Sequence, residues 1–205
     1  MEGLTHLNRN LKYKAHRVKV FEDELETPEG DKVYYDFVEN RNGSGILLVD
    51  EEGKLLFVKQ YRNALRRKDV EIPAGCVEEK DFDSDDENKI LLRDSRDIYK
   101  REDFENSENP FYKCAIREAE EETGMIPGKL HFVNYIIAAA GLFSERTAVY
   151  IGTELKKGRV NLDPDEYIDI IRMTPDEAIE NIRCGNICDS KTIIAVFAYF
   201  TTLLH

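Results

Sequence analysis

The sequence predicts a layered α/β (α+β) domain, on three observations. Short apolar runs of strand length outnumber helical patterns, Gly, Pro and Asp turn signals separate those runs, and about three helices are interleaved late in the chain. With 205 residues and no internal repeat, the chain has the size of one domain with a core of its own, or of a domain with a small appendage.

The elements follow in order. Over residues 17–40, Val18 and Val20, then Val33, Tyr35 and Phe37, alternate with polar neighbours around a Pro-Glu-Gly-Asp turn, which predicts an N-terminal antiparallel β hairpin. GILLVDEEGKLLFVKQYR gives two tighter strands flanking Asp-Glu-Glu-Gly, and VEIPAG a short strand stopped by Pro73 and Gly75. Arg66 and Arg67 read as loop charges. Residues 81–109 are mostly charged, with one apolar island at 90–92, too little to build a core. A helix then starts at Asn109, a good cap, with Pro110 suited to its first turn and Gly124 to the position past its end. KLHFVNYIIAAAG and RTAVYIGTEL are apolar enough for buried strands, and EYIDIIRM alternates. A capping box, Thr174 with Glu177, opens the next helix, and Gly185 follows its last turn. In the final helix Ile193, Ile194, Phe197 and Phe200 form the expected core stripe.

Composition excludes several functions. With 29 Lys plus Arg against 41 Asp plus Glu, a net charge of -12 argues against nucleic acid or an anionic membrane as partner, since both attract positive surfaces. The opening MEGLTHLNRNLKY has no apolar stretch of the kind a signal peptide carries, and no run approaches the roughly 18 apolar residues of a membrane span. A cytoplasmic protein is expected. Cys76, Cys114, Cys184 and Cys188 lack metal-site spacing and read as reduced, mostly packing residues.

The chemistry concentrates in CAIREAEEETGM, residues 114–125. On a helix Glu118 shares a face with Glu121 and Glu122, at spacings where like charges repel by a few tenths of a kcal/mol, whereas Glu120 points elsewhere. Such a face is either solvated or holds a hard cation such as Mg2+, which prefers oxygen ligands and keeps waters that a substrate phosphate can replace. Arg117, four residues before Glu121, is placed to fix one carboxylate by an ion pair.

REAEEETGM resembles the second half of the Nudix box, whose pattern is G-x5-E-x7-R-E-U-x-E-E-x-G-U, with U an aliphatic residue. Arg117, Glu118, Ala119, Glu121, Glu122, Gly124 and Met125 fill its places, and EIPAG resembles its start with Gly75 as the first glycine. QYR at 60–62, FSER at 143–146, DPDEYIDI at 163–170 and DSKT at 189–192 extend the resemblance to the ADP-ribose pyrophosphatase branch and over most of the chain. Two departures stand out. The charged segment interrupts the box after Gly75, and the place eight before Arg117, where the box has its first Glu, holds Asn109.

The resemblance implies a Nudix-type α/β/α sandwich with a mixed sheet over 43–205, carrying a charged insertion at 81–109, and a hairpin region at 1–42 used in a homodimer. It implies Mg2+ or Mn2+ held by Glu118, Glu122 and the carbonyl of Ala74, with Glu121 completing or orienting the cluster. Glu118 and Glu122 thereby take part in catalysis. Glu166 matches the general base, with Asp165 as the fallback; Arg62 matches an arginine that reaches a substrate phosphate, and Glu71 and Glu145 match positions near the nucleotide and ribose. The implied reaction is metal-dependent hydrolysis of a nucleoside diphosphate sugar, ADP-ribose first, giving AMP and ribose 5-phosphate. GDP-mannose or UDP-sugar hydrolysis is the alternative, and a Nudix-fold nucleotide sensor that does not hydrolyse its ligand is the rival from another class.

Overall fold

The computed structural model describes residues 3–16, 18–82, 100–162, 164 and 166–202. Twelve strands and four helices are described in chain order. They are β1 Thr5–Lys14, β2 Lys19–Glu26, β3 Lys32–Glu39, β4 Gly43–Val49, β5 Leu55–Arg62, β6 Arg67–Glu71 and β7 Ala74–Cys76, then α1 Arg101–Glu105 and α2 Pro110–Thr123. There follow β8 Met125–Ile126, β9 Lys129–Ile136, β10 Thr147–Thr153, β11 Lys156–Lys157, β12 Ile168–Met173, α3 Pro175–Arg183 and α4 Ser190–Thr202.

The main sheet runs β12-β5-β4-β10-β9, with β6 paired to β5 and β7 to β4. β10 runs parallel to β4, whereas the other pairings are antiparallel, so the sheet is mixed. β4 is buried along its whole length, which its unbroken apolar run requires of a strand covered on both faces. On one face Ile46, Leu48 and Leu56 pack with Cys114, Ala115 and Ala119 of α2. On the other, Leu47, Leu55 and Phe57 pack with Ala178 of α3 and with Ala195, Val196 and Tyr199 of α4. The result is the three-layer α/β/α sandwich.

Four details depart from the sequence reading. The N-terminal unit is a three-stranded sheet, β1-β2-β3, not a two-stranded hairpin. β1 escaped notice because its register slips between His6 and Asn8 and between Leu11 and Tyr13, which breaks the period of two that marks a strand. In α4 the buried stripe is Thr192, Ala195, Val196 and Tyr199; of the predicted stripe Ile193 and Phe200 pack against that core at its edge, whereas Phe197 is 47% exposed. Of the four free cysteines only Cys114 is buried. Arg67 opens β6 and donates through Nη2 to Cys188 Sγ at 3.2 Å, leaving Arg66, at φ 52°, as the loop residue.

Both described ends of the charged insertion enter the core. Phe82 joins the α2-side cluster, and so does Phe104, which lies fully buried in α1. The Phe104 ring stacks on Phe132 with centroids 4.6 Å apart, and its carbonyl accepts from Tyr150 Oη at 3.1 Å. The apolar island at 90–92 lies outside the described residues. No described helix is long and apolar enough to cross a membrane.

Candidate active site

The acidic helix is α2, and its ends are set by the residues that announced them. Asn109 Oδ1 accepts from Phe111 N at 2.9 Å, Pro110 fills the first turn, and Gly124 closes the helix in the left-handed conformation at φ 68°. Ser44 Oγ donates to the Phe111 carbonyl at 2.7 Å and fastens the helix start to β4. β7 then runs against the acidic face. Glu122 is 3% exposed and accepts through Oε2 from the Ala74 N–H at 3.1 Å. Gly75 lies so close to Glu118 that a Cβ there would fall 2.0 Å from Glu118 Oε1. Glycine is required at this position by the approach of the carboxylate.

Arg117 fixes the cluster. Its Nε and Nη2 donate to the two oxygens of Asp81 at 2.8 and 2.9 Å, Nη2 also donates to the Cys76 carbonyl at 3.0 Å, and Nη1 bridges Glu118 and Glu121. Asp81 is 2% exposed, so this is a buried, bidentate pair. Asp81 also corrects the second departure noted in the box. Counting back from Arg117 lands on Asn109, but counting G-x5 forward from Gly75 lands on Asp81. The first acid of the box is therefore present, shortened by one methylene, and the insertion follows it. The spacing from Gly75 was the signal that could have found it.

Burial and crowding raise two of the carboxylates. Glu118 is pushed up to about 7, by desolvation first and then by the charges of Glu121 and Glu166, against the pull of Arg117. Glu122 is pushed up to about 8, by desolvation, then by Glu118 and Glu166, against the Ala74 N–H and Arg62. Glu121 is held at both oxygens, by Lys80 at Oε1 at 3.2 Å and by Arg117 at Oε2 at 2.9 Å. Among the described residues no three His, Cys, Asp or Glu side chains gather into a group that could hold a metal ion. Mg2+ or Mn2+ also takes backbone carbonyls and waters as ligands. Two mutually repelling carboxylates, one buried and one half-buried, beside a strand with carbonyl oxygens form a hard-oxygen donor set, and such ions retain waters for the remaining positions. Glu118 and Glu122 fit that role, with Ala74 on the adjoining strand; Glu121 is placed to orient Arg117 and Glu118.

The other predicted residues separate into two groups. Glu166, half-buried, lies close enough for its charge to act on both Glu118 and Glu122. Its loop is tethered to α2, since Gly158 N donates to the Gly124 carbonyl at 2.8 Å and Asn161 N to the Glu121 carbonyl at 2.9 Å. Asp165 lies outside the described residues. Arg62 is at the end of β5 and pairs bidentately with Glu71, Nε to Oε1 at 2.6 Å and Nη2 to Oε2 at 2.8 Å. The charge of Glu122 also favours its protonated form, after Glu71. Glu71 is enclosed, since its Oε2 also accepts from Lys191 Nζ at 2.6 Å. Burial alone would raise its pKa, but Arg62 and Lys191 hold it at about 2. Glu145 stands apart, accepting from Asn40 and from Thr147 Oγ1 at the start of β10. Lys191 and Asp81 were not singled out from the sequence, although DSKT was noted as a pattern.

The comparisons with known proteins agree with this geometry. The family model described as "NUDIX domain" matches residues 39–193. The "Methanol dehydrogenase activator" of Bacillus methanolicus is 30% identical over 186 residues, 90% of this chain and 85% of that protein. The "ADP-ribose pyrophosphatase" of Bacillus subtilis (strain 168) is 28% identical over 181 residues, 87% of this chain and 83% of that protein. A crystal structure titled as an ADP compounds hydrolase superposes with a TM-score of 0.76, covering 100% of this chain and 96% of that one; at 16% identity it speaks for the fold alone. The match takes in both halves of the interrupted box and the strands that carry them, and the chain belongs to the Nudix family.

Proposed function

We propose that this protein is a Nudix hydrolase that splits the pyrophosphate bond of a nucleoside diphosphate sugar, ADP-ribose foremost, to give AMP and ribose 5-phosphate. The observation that carries the reading is the pair of half-buried Glu118 and buried Glu122 on one face of α2, within reach of the charge of Glu166, with Arg62 acted on by the charge of Glu122. The relatives include an enzyme named for this reaction.

Nudix hydrolases generally use divalent metal ions. In this chain Glu118, Glu122 and the carbonyl of Ala74 are the residues we assign to hold Mg2+ or Mn2+, with Glu121 orienting them. When bound, such an ion neutralises the diphosphate and lowers the pKa of water. Arg62 binds a phosphate oxygen through its guanidinium, and Glu145 serves the ribose side. Glu166 takes the proton from the water that attacks phosphorus. One P–O bond forms to that water as the bridging P–O bond breaks, and the departing phosphate leaves with the bridging oxygen. Glu71 acts here as the holder of Arg62.

The test is AMP release from ADP-ribose with and without Mg2+, set beside GDP-mannose and UDP-glucose. Glu122→Gln is expected to cut turnover roughly 100- to 1,000-fold, since it removes a carboxylate assigned to hold the ion that offsets the negative charge of the transition state; full activity in that variant would defeat the assignment. The sensor reading drew support from Asn109 in the place of the first box acid and from the long interruption of the box; Asp81, paired with Arg117, answers the first of these.

We also propose a homodimer in the cytoplasm, built on the N-terminal sheet. Leu7, Leu11 and Tyr35 are exposed there, and Leu11 at 53% and Tyr35 at 52% flank the Arg9–Asp23 pair, an apolar surface that a second copy would cover.

A further inference from the structure

α4 packs on the face of the sheet opposite α2, yet one of its side chains reaches the site. Lys191 runs past Gly45, where a Cβ would lie 3.4 Å from Lys191 Cδ, and its ammonium donates to Glu71 at 2.6 Å and makes an ion pair with Asp189 at 2.9 Å. Asp189 is tied down in turn. Its Oδ2 accepts from Thr192 N and Oγ1, and Thr192 Oγ1 accepts from Ile72 N at 2.9 Å, one residue from Glu71. Arg62, Glu71, Lys191 and Asp189 thus form one continuous chain of charges.

We propose that Lys191 is a positioning residue for the anionic substrate: through Glu71 it keeps the Arg62 guanidinium in place and its positive charge available to a phosphate. This rests on the reading of the site given above. The reason lies in how Glu71 is held. Its Oε2 accepts from both Arg62 Nη2 and Lys191 Nζ, and Lys191 is itself anchored on Asp189. The carboxylate that grips the Arg62 fork is thereby fixed from both sides, and Arg62 keeps one orientation. Its Nη1 has no hydrogen-bond partner among the described residues, and its side chain is 38% exposed, whereas that of Lys191 is 15% exposed. Stability alone does not ask for a lysine here, because a well-packed apolar side chain in such a place is commonly as stabilising as a buried ion pair.

The experiment is a double-mutant cycle with wild type, Lys191→Met, Arg62→Ala and the double variant, measuring kcat and KM for ADP-ribose with Mg2+, and melting each protein to establish that it is folded. Lys191→Met is expected to raise KM about tenfold with kcat within about twofold, the signature of lost binding rather than lost chemistry. In the Arg62→Ala background it should add nothing. The same fold-rise in both backgrounds, or a fall in kcat at unchanged KM, would overturn the proposal. If Lys191→Met does not fold, Lys191→Gln, uncharged and one bond shorter, carries the same expectations. If the wild type releases no AMP from any nucleotide sugar, the hydrolase reading fails on its own, and calorimetric Kd values for ADP-ribose across the same four proteins decide the role of Lys191 by the same non-additivity.

Discussion

Single residues at this site carry opposed electrostatic demands. Asp81 is buried and Arg117 half-buried, and Asp81→Asn removes the charged half of their bidentate pair while Glu118 and Glu121 still face Arg117. The variant is expected to lose about 1.5–3 kcal/mol of stability, read as a lower midpoint in urea, and to lower activity because Arg117 is less firmly held against Glu118 and Glu121. Glu118 and Glu122 respond to pH in the opposite sense from an ordinary paired carboxylate. Their folded pKa values, about 7 and about 8, lie above the unfolded value of 4.5, so the folded state binds the extra protons. Without divalent ions, stability is fully present below pH 4.5 and is lost as pH rises towards 8, at up to about 1.4 kcal/mol per pH unit and group. Melting in EDTA from pH 5 to 9 checks this, and added Mg2+ should recover more stability at pH 8 than at pH 6. A midpoint that rises with pH in EDTA would contradict the placement of these groups. Glu71 behaves conventionally: held at about 2, it contributes stability above pH 4.5 that is lost as pH falls towards 2. At this scale the carboxylates were legible because their spacing on a helix is fixed by local geometry. Lys191 was not, since its partner Glu71 is 120 positions away and only the folded sheet brings them together.

Among the elements, α2 was read correctly because its signals are local: Asn109, Pro110 and Gly124 act on the backbone next to them. α4 was read only in part, with Ile193 and Phe200 packing against the core and Phe197 exposed, because TIIAVFAYF offers no polar face to mark the buried one and tertiary packing selects Ala195, Val196 and Tyr199. α1 was missed because Phe104 sits alone among charges, in REDFENSEN, where composition argues for solvent. Its five residues are held by one aromatic anchor and by Arg101, whose Nη2 donates to the Phe132 carbonyl at 2.6 Å. Phe104→Ala is expected to cost about 3–5 kcal/mol. Thermal denaturation would report it, and a change near zero would mean that α1 is not anchored through this ring.

For the molecule as a whole, the sandwich was legible and the third strand of its N-terminal sheet was not. The element pattern gave a layered α/β domain and the Nudix resemblance its sandwich form, and β4, buried along its length between the two helical layers, agrees with both. If two copies meet through the N-terminal sheet, sedimentation should give twice the chain mass of 23.7 kDa. Leu11→Glu, which places a charge on the exposed face, should shift the equilibrium towards one copy; an unchanged dimer would place the contact elsewhere. The net charge of -12 is compatible with an anionic substrate because the cations are local, with Arg62 and Lys191 on one side of the carboxylates and Lys80 and Arg117 on the other.

The fastening of the insertion at both ends bears on how this catalyst tolerates change. Asp81 and Phe82 on one side and Phe104 on the other are secured to the same core as the reactive helix. The sequence distance between the two halves of the motif is consequently decoupled from their geometry. Doubling a loop's length costs only about 0.6 kcal/mol in closure entropy, so lineages can trim, extend or replace the intervening stretch, and engineers can graft cargo into it, while the reacting atoms keep their places.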